Sequence, residues 1–311
     1  MTKQHKSRTD KTGQQVRSRG GATEQLSRGQ QRRRAMKRAQ RPWWRGPAPL
    51  VGTVVVVLAL IGIFIAIALR GSSGSGASGP IGQPVAATIA RAVTTVSPSV
   101  IATVVTGNLL DPYRAISGRA LRAHGRPQVL YIGGEFCPYC AADRWSLVNA
   151  LSRFGTFSNL HYMRSAVDDG NIATFTFYGS RYSSPHLSFV PIENEDRNAN
   201  QLQSLTREQQ QILSTLGHNG YPFVDIAGQY ASANDGPNAR PGGYDPSVLS
   251  RKDWSQIAGA LSNAHDPITQ GIIGNANYLT AAICTATHQQ PARTCNTATI
   301  RFIEQLLPRG H

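Results

Sequence analysis

Two pairs of cysteines stand close in the chain. Cys137 and Cys140 enclose a Pro-Tyr dipeptide, and Cys284 and Cys295 have ten residues between them. The first pair has the setting that thiol chemistry needs. Gln128-Val129-Leu130-Tyr131-Ile132, ended by Gly133-Gly134, reads as a buried strand. After the pair, Trp145, Val148, Leu151 and Phe154 recur at three-residue spacing, which predicts a helix with one apolar face and a stop at Gly155. A cysteine in the first turn of a helix meets unpaired backbone N–H groups and the positive end of the dipole, both of which stabilise a thiolate. Pro138 suits that turn, where its missing N–H is no loss. Cys140 returns to the same side of the helix and can attack a mixed disulfide formed on Cys137. Cys137 is then the nucleophile and Cys140 the resolving thiol.

Other uses of these cysteines compete with this one. A zinc site lacks a second C-x-x-C or an H-x-x-x-H, and the eight histidines are scattered; a four-cysteine set with Cys284 and Cys295 is the remaining route. An inert Cys137–Cys140 disulfide would constrain little of the unfolded chain. Redox chemistry is the favoured reading, with no metal and no cofactor. Cys284 and Cys295 are most simply a structural disulfide, worth on the order of 2–3 kcal/mol, that joins a helix over 278–288 to the start of the last one. A relay pair passing electrons to the first site is the alternative.

The elements that position these residues read as mixed α/β. Strand-like runs lie at 160–166, 174–178 and 187–192. Thr206 and Gln209 have the spacing of a capping box for a helix ending at Gly217. Tyr221-Pro222 leads into a strand at Phe223–Ile226, with Ala227-Gly228 as a turn and Gln229-Tyr230-Ala231 as the return. The remainder is helical: Trp254, Ile257 and Leu261 on one helix, then 278–288, then 300–307.

The net charge of +15 is concentrated at one end. Residues 1–45 carry 14 Lys/Arg against Asp10 and Glu24, whereas residues 71–311 carry 17 basic and 15 acidic groups. That balance argues against a globally basic nucleic-acid-binding domain. Leu50 to Leu69 is twenty residues without a charge, about 30 Å as a helix and enough to cross a bilayer. Trp43 and Trp44 precede it at headgroup level. A cleaved signal peptide is the competing reading, because Ala66-Ile67-Ala68 has the A-x-A form; the long basic region before the run favours an uncleaved anchor. The basic flank then lies in the cytoplasm and the rest outside. The basic stretch 28–41 is read as lying on anionic headgroups and not as binding nucleic acid. The expected organisation is a basic disordered cytoplasmic tail (1–49), a transmembrane helix (50–70), a flexible Gly/Ser tether (71–84) and an extracytoplasmic domain (85–311). The lipid membrane is thus an expected partner through residues 50–69.

The strand, the CPYC motif and the helix after it resemble the thioredoxin superfamily over roughly residues 98–232. Glu135 and Phe136 occupy the acid-aromatic positions before the motif, and Tyr221-Pro222 looks like the superfamily's cis-proline loop opposite the active cysteines. The resemblance implies a thioredoxin-like α/β fold with inserted strands and a C-terminal helical extension, preceded by one transmembrane helix. It implies catalytic roles for Cys137, Cys140, Pro222 and Glu135, and substrate contact by Tyr221, Pro138 and Tyr139. One departure concerns the buried acid often found six residues before the first cysteine, where this chain has Tyr131. Proton handling for Cys140 then falls to Glu135, to water or to the tyrosine hydroxyl. A closer resemblance, carried by SPSVIATV, YIGGEFCPYCAADRWSLVNALSRFGTFSNL, TFTFYGSRYSSPHLSFVPIE and YDPSVLSRKDWSQIAGALS with ANYLTAAIC, is to an uncharacterised family of membrane-anchored thioredoxin-like proteins.

The expected function is a membrane-tethered thiol–disulfide oxidoreductase, oxidase- or isomerase-like, acting on protein cysteines, with a membrane redox partner as a further expected contact. Because Tyr139 carries no positive charge, the nucleophile is expected to be less stabilised than in the strongest periplasmic oxidants. The alternative is a tethered binding or assembly module whose cysteines do little.

Overall fold

The computed structural model describes residues 80–109, 112–232 and 242–309, which belong to one unit, Ala77–His311. The expected tail, the membrane span at 50–69 and most of the tether lie outside the described residues. Among the described residues no single helix is long and apolar enough to cross a membrane.

In chain order the elements are α1 (Ala87–Thr94), α2 (Pro98–Val104), β1 (Tyr113–Ala115), β2 (Arg122–Ala123), β3 (Arg126–Gly134), α3 (Pro138–Ser152), β4 (Thr156–Ser158), β5 (His161–Arg164), β6 (Ala173–Thr176), β7 (Arg181–Ser183), β8 (Ser188–Glu195), α4 (Arg207–Leu216), β9 (Phe223–Ile226), β10 (Tyr230–Ser232), a 3₁₀ turn (Pro246–Leu249), α5 (Trp254–Ala260), α6 (Pro267–Ala286), α7 (Ala292–Cys295) and α8 (Ala298–Leu306). The mixed α/β class expected from the sequence is the class observed.

The apolar run at 128–132 became the central strand because both of its faces are covered. Val129 and Tyr131 face one core with α3 and α6, while Leu130 and Ile132 pack with Leu213 of α4 and Phe223 on the other side. β3 pairs antiparallel with β9, β9 with β10, and β10 with β1. Its other edge pairs in parallel with β8 from Gln128 to Gly134. A parallel neighbour requires a crossover. α3 and two small sheets, β4–β7 and β5–β6, supply it. Ala227 and Gly228, at φ 57° and 73°, turn β9 into β10.

Three expectations need correction. The helix after the motif is not one-sided, since every residue from Cys140 to Leu151 is buried. It runs between the sheet and α6, and its polar groups bond internally: Ser146 Oγ donates to the Ile272 carbonyl (3.0 Å) and Asn149 Nδ2 to that of Val93 (2.7 Å). The helix expected at 278–288 begins eleven residues earlier, at Pro267, where Asp266 caps it by accepting from the Ile268 N–H. Gly271, Gly274, Asn275 and Asn277 have poor helix propensity and masked it; burial overrides them. The tether ends before residue 84: Gly82 N–H donates to the Tyr162 carbonyl and Val85 N–H to that of Leu160, which pins this stretch beside β5.

Candidate active site

Cys137 is the N-cap of α3, in extended backbone (φ −73°, ψ 127°), with Pro138 as the first helical residue. A cap presents its side chain to the first unpaired N–H groups. Here the cap atom is sulfur, and Cys137 Sγ accepts from the Cys140 N–H at 3.3 Å. Both thiols are free. Cys137 keeps 7 % of its surface and Cys140 none, so only Cys137 can meet a partner.

A second segment closes on the motif from β9. The Tyr221–Pro222 peptide is cis, and Cys137 Sγ lies 3.9 Å from the Tyr221 carbonyl oxygen. The Tyr221 ring stands edge-on to Phe136, centroids 6.5 Å apart, and its hydroxyl accepts from Asn194 Nδ2 at 2.7 Å. A third segment was not foreseen. A Cβ on Gly242 would lie 3.0 Å from the Tyr139 carbonyl oxygen, 3.1 Å from Asp143 Cβ and 3.5 Å from Pro222 Cγ. The chain at Gly242 therefore touches the motif, the helix behind it and the proline loop together.

The electrostatics separate the two thiols. The Cys140 thiol, the N–H groups of Cys140 and Tyr139, and the Arg144 charge together hold Cys137 below the ordinary thiol range, against the effect of burial. Burial, and then the neighbouring Cys137, push Cys140 well above it. The asymmetry has the direction expected of a nucleophile and a resolving thiol.

Sequence reasoning missed the positive charge. Arg144, fully buried one turn beyond Cys140, holds Glu193 of β8 through two bonds (Nε to Oε1 2.9 Å, Nη2 to Oε2 2.7 Å), and its Nη2 also donates to the Gly134 carbonyl at 2.8 Å. Burial works against its charge, and Glu193 together with Tyr131 and Cys140 more than offsets that. Tyr139 carries no charge, but the helix interior supplies one. The available signal was Asp143-Arg144 inside an otherwise apolar AADRWSLV stretch, where a one-sided helix would have put them in water.

The remaining expected residues are placed as follows. Glu135 is buried and accepts from Thr176 Oγ1 at 2.5 Å; burial raises its pKa. Asp143, also missed, is buried with Oδ1 accepting from Asn275 Nδ2 (2.9 Å), and burial lifts its pKa to about 7. Asn275 Oδ1 in turn accepts from the Tyr113 hydroxyl at 2.9 Å. Cys284 and Cys295 are joined as a disulfide between α6 and α7, both fully buried. Among the described residues no group of three or more His, Cys, Asp or Glu could hold a metal ion.

Neither a curated protein nor a solved structure matches the chain. Residues 112–219, which run from β1 through the CPYC motif to the end of α4 and stop short of Tyr221-Pro222, match a family described as Domain of unknown function (DUF929).

Proposed function

We propose that this chain is a membrane-tethered, extracytoplasmic thiol–disulfide oxidoreductase with a thioredoxin-like fold, acting on protein cysteines through Cys137 and Cys140. The observation that carries the reading is the Cys137 sulfur. It caps α3, accepts the Cys140 N–H at 3.3 Å and lies 3.9 Å from the carbonyl oxygen of the cis-proline loop. Cys137 attacks a client disulfide; Cys140 attacks the resulting mixed disulfide and releases the client thiol. Run backwards, the same two exchanges oxidise a client dithiol. The strand–CPYC–helix order and the facing Tyr221–Pro222 loop support the thioredoxin-like reading, and the uncharged 50–69 run with its basic flank supports the tether.

The direct test is thiol exchange by the full-length protein in detergent, measured by insulin reduction and by reactivation of scrambled ribonuclease. Turnover that disappears in Cys137→Ser is expected; turnover that survives it sinks the reading. The low exposure of both sulfurs favours a second reading, a tethered binding module. That reading gains if neither Cys137→Ser nor Cys140→Ser protein captures mixed disulfides in the native envelope. For the anchor, retention in membranes after carbonate washing with the domain open to external protease is expected. Release of a soluble form beginning near residue 69 refutes it.

A further inference from the structure

Resolution requires Cys140, the thiol that burial makes harder to ionise, to become a thiolate. The sequence left three candidates for help: Glu135, water and the hydroxyl of Tyr131. Glu135 is engaged by Thr176. Asp143 faces α6, with Oδ1 on Asn275 and Oδ2 buried without a partner among the described residues. Tyr131, however, is the one that shares the space beside Gly133 with Cys140. It is fully buried, and its hydroxyl has no hydrogen-bond partner among the described residues. Buried hydroxyls are seldom left so, because an unmade bond is costly.

The hydroxyl is also in the right place. A Cβ on Gly133 would lie 2.2 Å from Tyr131 Oη and 3.1 Å from Cys140 Sγ. The two atoms therefore border one small space that exists because residue 133 has no side chain. The Tyr131 ring is fixed edge-on to Phe177 (centroids 5.3 Å apart, planes at 80°), with the Arg144 guanidinium 6.0 Å from its centre. Arg144 Nη1, buried at the same level, is likewise without a partner among the described residues. The charged and titratable groups around Cys140 include Cys137, Arg144 with its Glu193, Tyr131 and, from the proline loop, Tyr221.

We infer that the Tyr131 hydroxyl is the hydrogen-bond donor that stabilises the Cys140 thiolate as it resolves a mixed disulfide on Cys137, an inference that rests on the thiol-exchange role proposed above. The Cys140 thiol gives up its proton to solvent water and the thiolate pair forms the bond to Cys137 Sγ. The bond from Cys137 to the client sulfur breaks, and the client leaves with that electron pair and takes up a proton. The protein dithiol is oxidised and the client disulfide reduced. Tyr131 keeps its own proton throughout, since burial raises its phenol well above the ordinary range. It is a donor and not the base.

The test follows dithiobis-nitrobenzoate reacting with the reduced full-length protein in detergent. Cys137 releases the first coloured thiolate on attack, and Cys140 releases the second on resolution. In Tyr131→Phe the ring packing stays and no existing bond is lost, so the thermal midpoint should be at or above that of wild type and the first phase should match it. The second phase should slow about ten- to a hundredfold, the worth of a hydrogen bond to a charged group, and its pH midpoint should rise. Fluorotyrosine at position 131, which keeps a stronger donor, should resolve at least as fast as wild type. A second phase unchanged in Tyr131→Phe, equal slowing of both phases, or slower resolution with fluorotyrosine overturns the assignment. Wild-type protein that never releases the second thiolate overturns the redox reading and this inference together.

Discussion

The two cysteine pairs are built from the same side chain and meet opposite fates. Cys284 and Cys295 face each other between α6 and α7 with no surface exposed, and they are bonded. Cys137 and Cys140 lie at a helix N-terminus, beside a loop carbonyl and above a buried guanidinium, and they are free thiols held at unequal readiness to ionise. Spacing alone does not separate the two pairs. Surroundings do: one pair is enclosed by packed helices, and the other sits where backbone N–H groups and a charge converge on sulfur.

The largest expected effect separates the members of the first pair. Cys140→Ser should accumulate clients as mixed disulfides on Cys137, seen as bands lost on reduction, whereas Cys137→Ser should trap almost nothing and have no exchange activity. Equal trapping by both would erase the asymmetry.

Next comes the charge beneath the motif. Arg144→Met leaves Glu193 buried and unpaired, which should cost about 3–5 kcal/mol in denaturant unfolding. Replacing both partners, Arg144→Met with Glu193→Leu, should recover much of that stability. The double variant should still shift the pH midpoint of Cys137 alkylation upward, since the charge is gone. A midpoint equal to wild type in the folded double variant would show that the helix terminus alone activates Cys137.

Asp143 and Asn275 join the two regions, one on α3 and the other on α6. The folded pKa of Asp143 is raised to about 7 from an unfolded value near 3.8. Its contribution to stability is therefore full below pH ~4 and is lost as pH rises to ~7, by up to about 4 kcal/mol. Asp143→Asn should remove that slope. Asp225, raised to about 6 by burial, should leave a smaller slope of the same sign. A stability profile between pH 4 and 7 that the substitution does not change would contradict the assignment.

The smallest effect is expected at the second pair. Serine at both Cys284 and Cys295 should lower stability by about 2–3 kcal/mol and leave trapping by Cys140→Ser intact. Loss of trapping in that background would make the pair a relay after all.

The parts of the site that follow from local rules were legible. Strand, Cys-Pro and helix are each encoded within a few residues, and β3, the helix start at the CPYC motif and the Thr206 capping box appear where the pattern places them. The hairpin after Pro222 was equally local, because Ala227-Gly228 supplies the turn. What failed was any statement about which side of a helix meets water. Three-residue spacing of Trp145, Val148 and Leu151 marks one buried face and is silent on whether another layer covers the rest. Once α6 covers α3 on the Asp143 side and the sheet covers it on the Arg144 side, the two cease to be surface charges and become the site's electrostatics. The true start of α6 was hidden for the same reason, since Asn275 and Asn277 find their partners on other elements.

By itself the sequence determined the chemistry on offer: two thiols, a helix start to ionise one of them, and a proline loop before an apolar strand. Tertiary structure decided the surroundings of those thiols, because Glu193 and Gly242 reach the motif only through sheet pairing and packing, and Tyr131 and Arg144, near it in the chain, are enclosed there only once the neighbouring elements cover them. Burial then sets their weight, since the same charge that water would screen acts at full strength in a closed interior.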